Sequence, residues 1–546
     1  VDITSVNGSI YDINGDANNI TANNAALRAQ GNIYENSDYL NTQVNTLAAV
    51  SNTGDILIEN TGNLQIGSFD GLLGLTAVQG VVTIKNSGAI SVTENITARD
   101  EVSLDTGDFA GTDEDVSITN GARVRSTNSS IYLFAGDDFL LDETSFILAS
   151  TTLVIHMDTY GAEDPEAEGG NMSLLGTVAS SSEVNIYAGS GSDTFNVTPS
   201  MGTNIRITAG FPISPASPGD TFNYITPAGQ RASLLPFGDD AGVITPTGGY
   251  ASIYFDEMET VSLEGDIRVV GGSFGEQLLL NATSADAGSF QMIRNAVPSV
   301  IVNMDNVTSF TFEAGGGDDL LQITNPAGIL FAPVNGITFD GGSGGETNGD
   351  KLEILSGSAT SVEHRFTNDS DGSIFYNGTG TAIITYTGLE PIIDTINATD
   401  RIFTFTGADE TITVSDSGTA GQTLIDSTLG ESVSFANPTG SVTINSNTGS
   451  DIIEIYGVDA AFDADLIING GYAQLKGTTD IGAGNLDLDV DLANLAAAFM
   501  TTGNVEINTV GFLDMEITGS INAGAGNFDL TGNSVYLAEI TTTGDV

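Results

Sequence analysis

The stretch Ile56-Leu57-Ile58-Glu59-Asn60-Thr61-Gly62-Asn63-Leu64 decides the fold class of this chain of 546 residues. Its first three residues are aliphatic and mostly β-branched, a composition that favours a β-strand. The Asn-Thr-Gly that follows accepts positive φ angles at little cost and is typical of a tight corner. The stretch therefore predicts a strand, a sharp corner and the start of the next strand.

Runs of the same kind recur along the first part of the chain, separated by Asn-Thr-Gly, Asn-Ser-Gly or Asp-Thr-Gly turns. Most of them follow the previous run after about 14 to 26 residues. Spacing of this size matches one coil of a solenoid, in which each coil stacks on the last. The runs begin at Ile56, Val82, Val102, Val116, Ile131, Leu153 and Val184.

We therefore predict an all-β chain that forms an elongated, right-handed parallel β-helix, or solenoid. The alternative is that β-sandwich modules are inserted in its middle, because a sandwich has similar strands in less uniform units. The chain has only 13 prolines, which favours a continuous solenoid. One stretch departs from the pattern: apolar residues at 40, 44 and 47 have helical spacing, so a helix is predicted over 40–47. Solenoid rungs joined by a bulging loop are the alternative there.

A long internal repeat organises the middle of the chain. Gly219-Asp220-Thr221-Phe222 corresponds to Gly349-Asp350-Lys351-Leu352, and Gly275-Glu276 falls near Asp409-Glu410, at offsets of about 130 to 134 residues. Two diverged copies in tandem explain these matches. The predicted regions are an N-terminal solenoid at 1–183, repeat modules at 184–314 and 315–445, and a partial repeat with a C-terminal solenoid at 446–546.

The charge of the chain excludes several classes of partner. It carries 71 Asp and Glu against 13 Lys and Arg, a formal net charge of −58. Phosphate recognition needs a basic face, so we expect no nucleic-acid partner. No apolar run is long enough for direct insertion into a membrane, and cysteine is absent, which excludes disulfides and thiolate sites. Bound Ca²⁺ or an elongated body would relieve the self-repulsion, with solubility alone as the alternative explanation of the acidity.

Three glycine-rich turns end in an aspartate directly before a strand-like run: Asp193, Asp319 and Asp451. A weaker version ends at Asp138. Glycines let backbone carbonyls point at an ion and an aspartate adds a hard anionic oxygen, the ligand type that calcium prefers. The alternative is a plain turn whose aspartate caps the backbone. We predict Ca²⁺ as a cofactor, with these candidate ligands: Asp193, Asp319, Asp451, Asp318, Asp138 and Asp350, the last beside Asp340 and Glu346 in a glycine-rich insert.

Residues for catalysis are scarce. The two histidines, His156 and His364, lie in strand-like runs, and Arg365 after His364 points to the opposite face because neighbouring strand residues alternate. No metalloprotease, nucleophile-elbow or P-loop motif is present. We therefore expect no enzyme.

The chain resembles the repetitive regions of giant bacterial surface proteins. The segments at 40–47, 53–56 and 60–64 resemble filamentous-haemagglutinin-type adhesins, and Gly191-Ser192-Asp193-Thr194-Phe195 resembles the calcium turns of RTX, haemolysin-type exoproteins. The turns are degenerate, since Ala188, Ala314 and Ser446 replace the first glycine of the RTX repeat. The likeness covers most of the chain in style and specifies a class of protein.

The resemblance implies an extracellular segment on a bacterial cell surface. Its function would be structural or adhesive, as a stiff, acidic, calcium-stabilised rod or filament. The implied partners are the protein itself or neighbouring segments in a filament or surface layer, and surface glycans. A calcium-dependent carbohydrate- or protein-binding module array is the second option, and a β-helix polysaccharide-degrading enzyme is the third.

Overall fold

The fold is known from a computed structural model, in which the chain is all-β, with 56% of its residues in strands. The described part of the chain contains no helix. The chain divides into two compact units: the first comprises Val1–Gly265 with Ser299–Asn303, and the second comprises Asp266–Pro298 with Met304–Val546. The structure describes residues 1–545 except 35–37, 108–113, 159–168, 190, 211–218, 343–346, 406–408, 447–449 and 510–514.

Parallel pairing dominates the first unit, where strands align in three columns. The first column contains Ile20–Thr21, Leu40–Gln43, Ile56–Asn60, Val82–Asn86, Val102–Asp105, Ile131–Ala135, Leu153–Met157, Val184–Tyr187, Ile205–Thr208 and Ile253–Asp256. The second contains Leu64–Ile66, Ile90–Val92, Val116–Ile118, Phe139–Leu141, Asn171–Leu174, Thr194–Val197, Thr221–Tyr224 and Thr260–Gly272. The third contains Asp2–Ser5, Asn24–Ala29, Thr46–Ser51, Leu75–Ala77, Ile96–Ala98, Arg123–Ser126, Phe146–Leu148 and Thr177–Ala179. Two antiparallel hairpins branch from this unit, Ser68–Phe69 with Leu72–Leu73 and Arg231–Pro236 with Gly242–Pro246.

The second unit also consists mainly of parallel pairs. One long column contains Glu276–Ala282, Leu320–Thr324, Asp350–Leu355, Leu389–Asp394 and Val433–Ala436. Another contains Ser358–Phe366, Asn397–Phe405, Ser441–Ser446, Asp465–Asn469, Leu486–Val490, Val505–Thr509 and Phe528–Thr531. A further one contains Thr411–Asp416, Ile452–Ile455, Tyr472–Leu475, Leu492–Leu495, Met515–Asn522 and Val535–Thr541. Shorter ones are Ile301–Gly315, Ile337–Asp340 and Ile384–Thr387, and Thr479–Asp480 with Phe499–Met500. The antiparallel strands are Gly288–Arg294, Val297–Pro298, Gly372–Tyr376 and Gln422–Ser427.

The core forms because strand residues alternate between two faces. In the strand Val102–Asp105, Val102 and Leu104 are fully buried while Ser103 lies outside. Parallel register places Val82, Val102 and Ile131 directly above one another, so each aliphatic side chain packs on its equivalent in the next strand. A buried side chain of this size contributes about 1.5–3 kcal/mol.

The corners are held by buried amides. Asn60 and Asn86, which open the Asn-Thr-Gly and Asn-Ser-Gly turns, are 1% and 5% exposed. The Asn60 amide donates to Asn86 Oδ1 over 2.9 Å, and Asn60 Oδ1 accepts from Thr42 Oγ1. A buried amide needs such partners, so the same residue type recurs where one corner stacks on the next.

The prediction of strands is confirmed and the prediction of a helix is wrong. All seven runs identified from the sequence lie in strands. Residues 40–47 instead contain the strand Leu40–Gln43 and the start of the next strand, Thr46–Ser51. Leu40, Val44 and Leu47 are all buried, but a corner at 44–45 resets the alternation between them. This change of phase gives a false helical spacing.

Hairpins occur at matching places in the two predicted repeat copies. Arg231–Pro236 with Gly242–Pro246 in 184–314 corresponds to Ser358–Phe366 with Gly372–Tyr376 in 315–445. Glu276–Ala282 with Gly288–Arg294 likewise corresponds to Thr411–Asp416 with Gln422–Ser427. In three of these hairpins, one strand also pairs in parallel with a further strand, so the antiparallel partner is a local addition. The domain boundaries themselves stay a prediction.

Candidate metal centre

The three predicted turn aspartates are buried because of their position in the strand alternation. Asp193 precedes Thr194–Val197, and the inner face of that strand carries Phe195 and Val197. A period of two puts Asp193 on the same inner face. The same relation holds for Asp319 before Leu320–Thr324 and for Asp451 before Ile452–Ile455, so all three carboxyls are at most 2% exposed.

Register links these carboxyls into columns. In the first unit, Asp193 Oδ1 accepts from the backbone N–H of Gly170 over 2.8 Å, and Asp220 Oδ1 accepts from that of Asp193 over 2.7 Å. Glu259 Oε2 accepts in turn from the N–H of Asp220 over 2.5 Å. We call Asp193, Asp220 and Glu259 the first carboxylate column. Each acid caps the backbone of the strand before it.

The second unit repeats the arrangement. Asp319 Oδ1 accepts from the N–H of Glu276 over 2.6 Å, and Asp350 Oδ1 accepts from that of Asp319 over 2.7 Å. We call Glu276, Asp319 and Asp350 the second carboxylate column. Asp451 Oδ1 also accepts from the N–H of Glu410, over 3.1 Å. The capping role, the alternative to calcium for these turns, therefore accounts for one oxygen of each aspartate.

In the described part of the chain, the other oxygen is left without a partner at two of these positions. Among the described residues, nothing hydrogen-bonds to the buried Oδ2 atoms of Asp193 and Asp220. A buried charged oxygen without a partner is unfavourable by several kcal/mol, so the group takes up a proton or pairs with a cation. These two atoms are the strongest feature of the candidate site.

Burial raises the pKa of these carboxyls. Desolvation is the largest cause at Asp193, where the Gly170 N–H opposes it and the Asp158 and Asp220 charges add to it, and the pKa reaches about 8. Desolvation likewise raises the pKa of Asp220 to about 7 and that of Asp319 to about 7. At neutral pH Asp193 is mainly protonated, and Asp220 and Asp319 are partly protonated, unless a cation replaces the proton.

Asp138 and Asp318 have a different environment. Asp318 lies near the surface and accepts from the N–H groups of Thr347 and Asn348, at 2.6 and 3.0 Å, and from the Asn348 amide. Those donors, the Asn348 N–H first, lower its pKa. Asp138 Oδ1 accepts from the N–H and the side chain of Asn171, at 2.7 and 3.2 Å. Their geometry is that of turn caps.

The glycine-rich insert gives less support to a metal site. Asp340 Oδ1 accepts from Gly342 N and Thr387 Oγ1, each over 3.1 Å, while Glu346 lies outside the described residues. Within the described ranges, no three His, Cys, Asp or Glu side chains converge on one point as a ready-made metal centre. Any cation bound here would take part of its shell from backbone or water oxygens.

Sequence reasoning missed three members of the columns as site residues, Asp220, Glu259 and Glu276. It also missed Glu410, whose N–H donates to Asp451. The repeat matches already linked Asp220 with Asp350 and Glu276 with Glu410. In the structure Asp220 and Glu410 lie directly before a strand, while Asp350 and Glu276 each begin one. Arg294 binds the buried Glu276 over 2.7 Å. The usable signal was an acidic residue two positions before a buried apolar residue.

The two histidines have structural environments. His156 is stacked between Phe134 and Tyr187 on the outer face of the first unit, with ring centroids 5.0 and 5.1 Å apart. His364 is fully buried, with its Nε2 3.0 Å from Asp394 Oδ2, and Arg365 beside it is exposed. Arg401 also binds Asp394, and all three side chains of this cluster are 0% exposed.

Glu431 provides a test of the buried acids outside the predicted metal ligands. It is 2% exposed, its Oε1 accepts from Ser432 N over 2.9 Å, and Oε2 has no partner among the described residues. Desolvation, opposed by that N–H and increased by the charges of Glu390, Asp426 and Asp369, raises its pKa from 4.5 to about 8.

We expect stability in EDTA to fall as pH rises from about 4.5 to 8, because folded Glu431 keeps a proton that the unfolded chain has lost. The slope for one proton is about 1.4 kcal/mol per pH unit. Glu431→Gln removes this contribution, so urea unfolding at pH 5, 6.5 and 8 will show a shallower decline than wild type. Glu516→Gln, at an exposed position, is the control and keeps the wild-type slope. Equal slopes for Glu431→Gln and wild type would contradict the assignment.

In the described residues, no helix is long and apolar enough to cross a membrane. Comparison with protein-family models, with curated proteins and with solved structures gave no match.

Proposed function

We propose that this chain is a structural or adhesive segment of a giant secreted protein on a bacterial surface. The observation that carries the proposal is the stacking of short parallel strands in register, three columns side by side in the first unit. In our proposal each set of three strands closes into one coil of a right-handed parallel β-helix. A stack of this kind is a module for spanning distance and presenting surface.

Mechanical stiffness follows from the backbone pairing. Each strand of a column hydrogen-bonds to the strand before it, and neighbouring strands lie about 4.8 Å apart. Outward positions such as Ser103, Ser117 and Thr83 are small and polar, whereas inward positions are aliphatic. Such a rod keeps its shape without a large globular core, and its loops remain available for contacts with copies of itself or neighbouring segments.

The charge suits an extracellular setting with calcium. A net charge of −58 destabilises any compact arrangement through self-repulsion. Divalent cations at millimolar concentration reduce that repulsion, and weak calcium sites of extracellular modules work in this range. We propose Ca²⁺ as the stabilising cofactor and the bacterial cell surface as the location.

The shape of the particle tests the proposal. We expect small-angle X-ray scattering of the 546-residue chain to give a radius of gyration well above the roughly 24 Å of a compact domain of this length. The scattering should also show a linear cross-sectional region. A radius near the compact value, in EDTA and in Ca²⁺ alike, would refute the rod. Sedimentation velocity at several concentrations will show whether rods associate.

A second candidate function, a calcium-dependent carbohydrate- or protein-binding array, is favoured by one observation. Phe134, His156 and Tyr187 form a stacked row on the outer face, and Tyr187 is 37% exposed. Arg206 packs over the ring of Tyr254 on the same face. Aromatic and Arg side chains are enriched where proteins bind partners. Surface glycans are the ligands we propose for this face.

A further inference from the structure

The first carboxylate column contains more acid than its surroundings neutralise. Asp193 and Asp220 are both 0% exposed, and each has one buried oxygen with no partner among the described residues. The charged neighbours that act on Asp193 are Asp158 and Asp220, and those that act on Asp220 are Glu259 and Glu257. Every one of these neighbours is an acid.

The second carboxylate column shows how the same geometry looks when the protein supplies a positive charge. Its first member, Glu276, is fully buried and binds Arg294 Nε through Oε1 over 2.7 Å. Glu276 Oε2 accepts from Gly272 N over 3.2 Å, so both of its oxygens have partners. Arg294 comes from the antiparallel strand Gly288–Arg294, which pairs with Glu276–Ala282. Among the described residues, the first column has the acids of such a site without an arginine bound to them.

Glycines bring further oxygens close to the first column. Gly210 has φ +91°, and a Cβ there would lie 1.9 Å from the carbonyl oxygen of Gly189. Its N–H donates to Glu257 Oε2 over 3.1 Å. A Cβ on Gly219, with φ +77°, would lie 2.6 Å from Glu259 Oε2. Only glycine at these positions leaves room for the carboxylates and carbonyls to approach one another.

We infer that the first carboxylate column binds one divalent cation of the calcium class, with Asp193 Oδ2 and Asp220 Oδ2 as its anionic ligands. This inference rests on the proposed function and assigns the stabilising Ca²⁺ of that proposal to one site. The ion takes the role that Arg294 has in the second column, and neighbouring carboxylate, carbonyl and water oxygens complete its shell.

The donor chemistry selects calcium over other metals. All groups at the column are hard oxygens, which calcium accepts in numbers of six to eight and in flexible geometry. Zinc and copper favour nitrogen and sulfur donors. The chain has no cysteine, and its two histidines pack against the rings of Phe134 and Phe403, in other surroundings. Magnesium requires a stricter octahedral shell that two carboxylates fixed by backbone N–H groups do not offer.

Calorimetric titration and equilibrium dialysis of the full chain with Ca²⁺ at pH 7.5 test the assignment. We expect saturable binding, with a Kd of about 0.1–1 mM, and a melting temperature that rises more with Ca²⁺ than with equal Mg²⁺. Asp193→Asn and Asp220→Asn should each bind one equivalent fewer than wild type. Asp529→Asn, the same change at an exposed position outside both columns, should keep the wild-type number.

Folding of the variants is checked first by melting in EDTA. There both first-column variants should melt no lower than wild type, because an amide replaces a buried carboxyl that has one oxygen without a partner among the described residues. Glu259→Gln, at the less buried end of the column, tests the same site through a several-fold weaker Kd. No saturable Ca²⁺ binding by wild type would overturn the inference, as would an unchanged number of sites in Asp193→Asn. A compact particle that binds Ca²⁺ at the column would instead refute only the rod.

Discussion

Arg401→Met should destabilise the protein by about 3–5 kcal/mol, because it leaves a buried carboxylate without its counter-charge. Arg401 is the largest fully buried side chain among the described residues. Its guanidinium binds Asp394 Oδ2, and its Nη2 donates to the carbonyl of Ile396 over 2.6 Å. Urea unfolding of wild type and variant at pH 7 measures the difference.

The charge balance of the cluster explains the size of the effect. Burial alone would raise the pKa of Asp394, but the Arg401 charge and the His364 hydrogen bond outweigh it and hold the pKa at about 2. Burial lowers the pKa of His364, so the imidazole is neutral at pH 7 and does not replace the arginine charge. Removal of Arg401 therefore forces Asp394 to remain unpaired or to take up a proton.

Arg365→Met is the matched control. Arg365 lies on the strand Ser358–Phe366, which pairs with the strand of Arg401, but its side chain is 46% exposed and binds Glu363 at the surface. Exposed ion pairs contribute about 0–1 kcal/mol. Losses of similar size in the two variants would show that the buried cluster has no special role.

Gly315→Ala should lower the free energy of unfolding by about 3 kcal/mol or more. We expect a loss of this size only where the added Cβ would collide with other backbone atoms. Gly315 has φ +106°, and a Cβ there would lie 2.1 Å from the carbonyl oxygen of Gly272. Gly342 has φ +90°, and a Cβ there would lie 2.0 Å from the carbonyl oxygen of Gly315. The three glycines form a stacked corner that has no space for a methyl group, and thermal melting measures the loss.

Gly418→Ala separates backbone conformation from crowding. Gly418 has a similar positive φ of +77°, but no atom lies within 4 Å of the position of a Cβ. We expect this control to lose only about 1–2 kcal/mol, the strain of a left-handed residue. If both alanine variants lose equally, crowding at the Gly272 corner is unimportant.

Local patterns in the sequence were sufficient to predict the strands and many corners. Ile56, Val102 and Val184 begin short aliphatic runs, and all of them are in strands. Glycine turns such as 314–317 were predicted as corners, and Gly315 and Gly317 have positive φ. These features depend on neighbouring residues only, so a linear pattern contains the necessary information. The helix predicted at 40–47 failed because two short strands in different phase imitate a helical period.

The candidate site could be predicted only in part. Asp193, Asp319 and Asp451 were found from their turns, and the alternation with Phe195 explains why the first of them is buried. Their partners were missed because the separation changes from one step to the next: Gly170 and Asp193 are 23 residues apart, Asp193 and Asp220 are 27, and Asp220 and Glu259 are 39. Loops and hairpins of different length intervene, so no fixed period marks the column.

The sequence by itself determined that this is an acidic, all-β chain whose strands alternate inward aliphatic and outward polar side chains. Only the tertiary structure decided which strand lies on which, and so which acids share a column and that Arg401 meets Asp394. The physical reason is that parallel pairing joins residues by register, across loops whose length the pairing does not constrain. The register therefore also decides which buried acids have an arginine beside them.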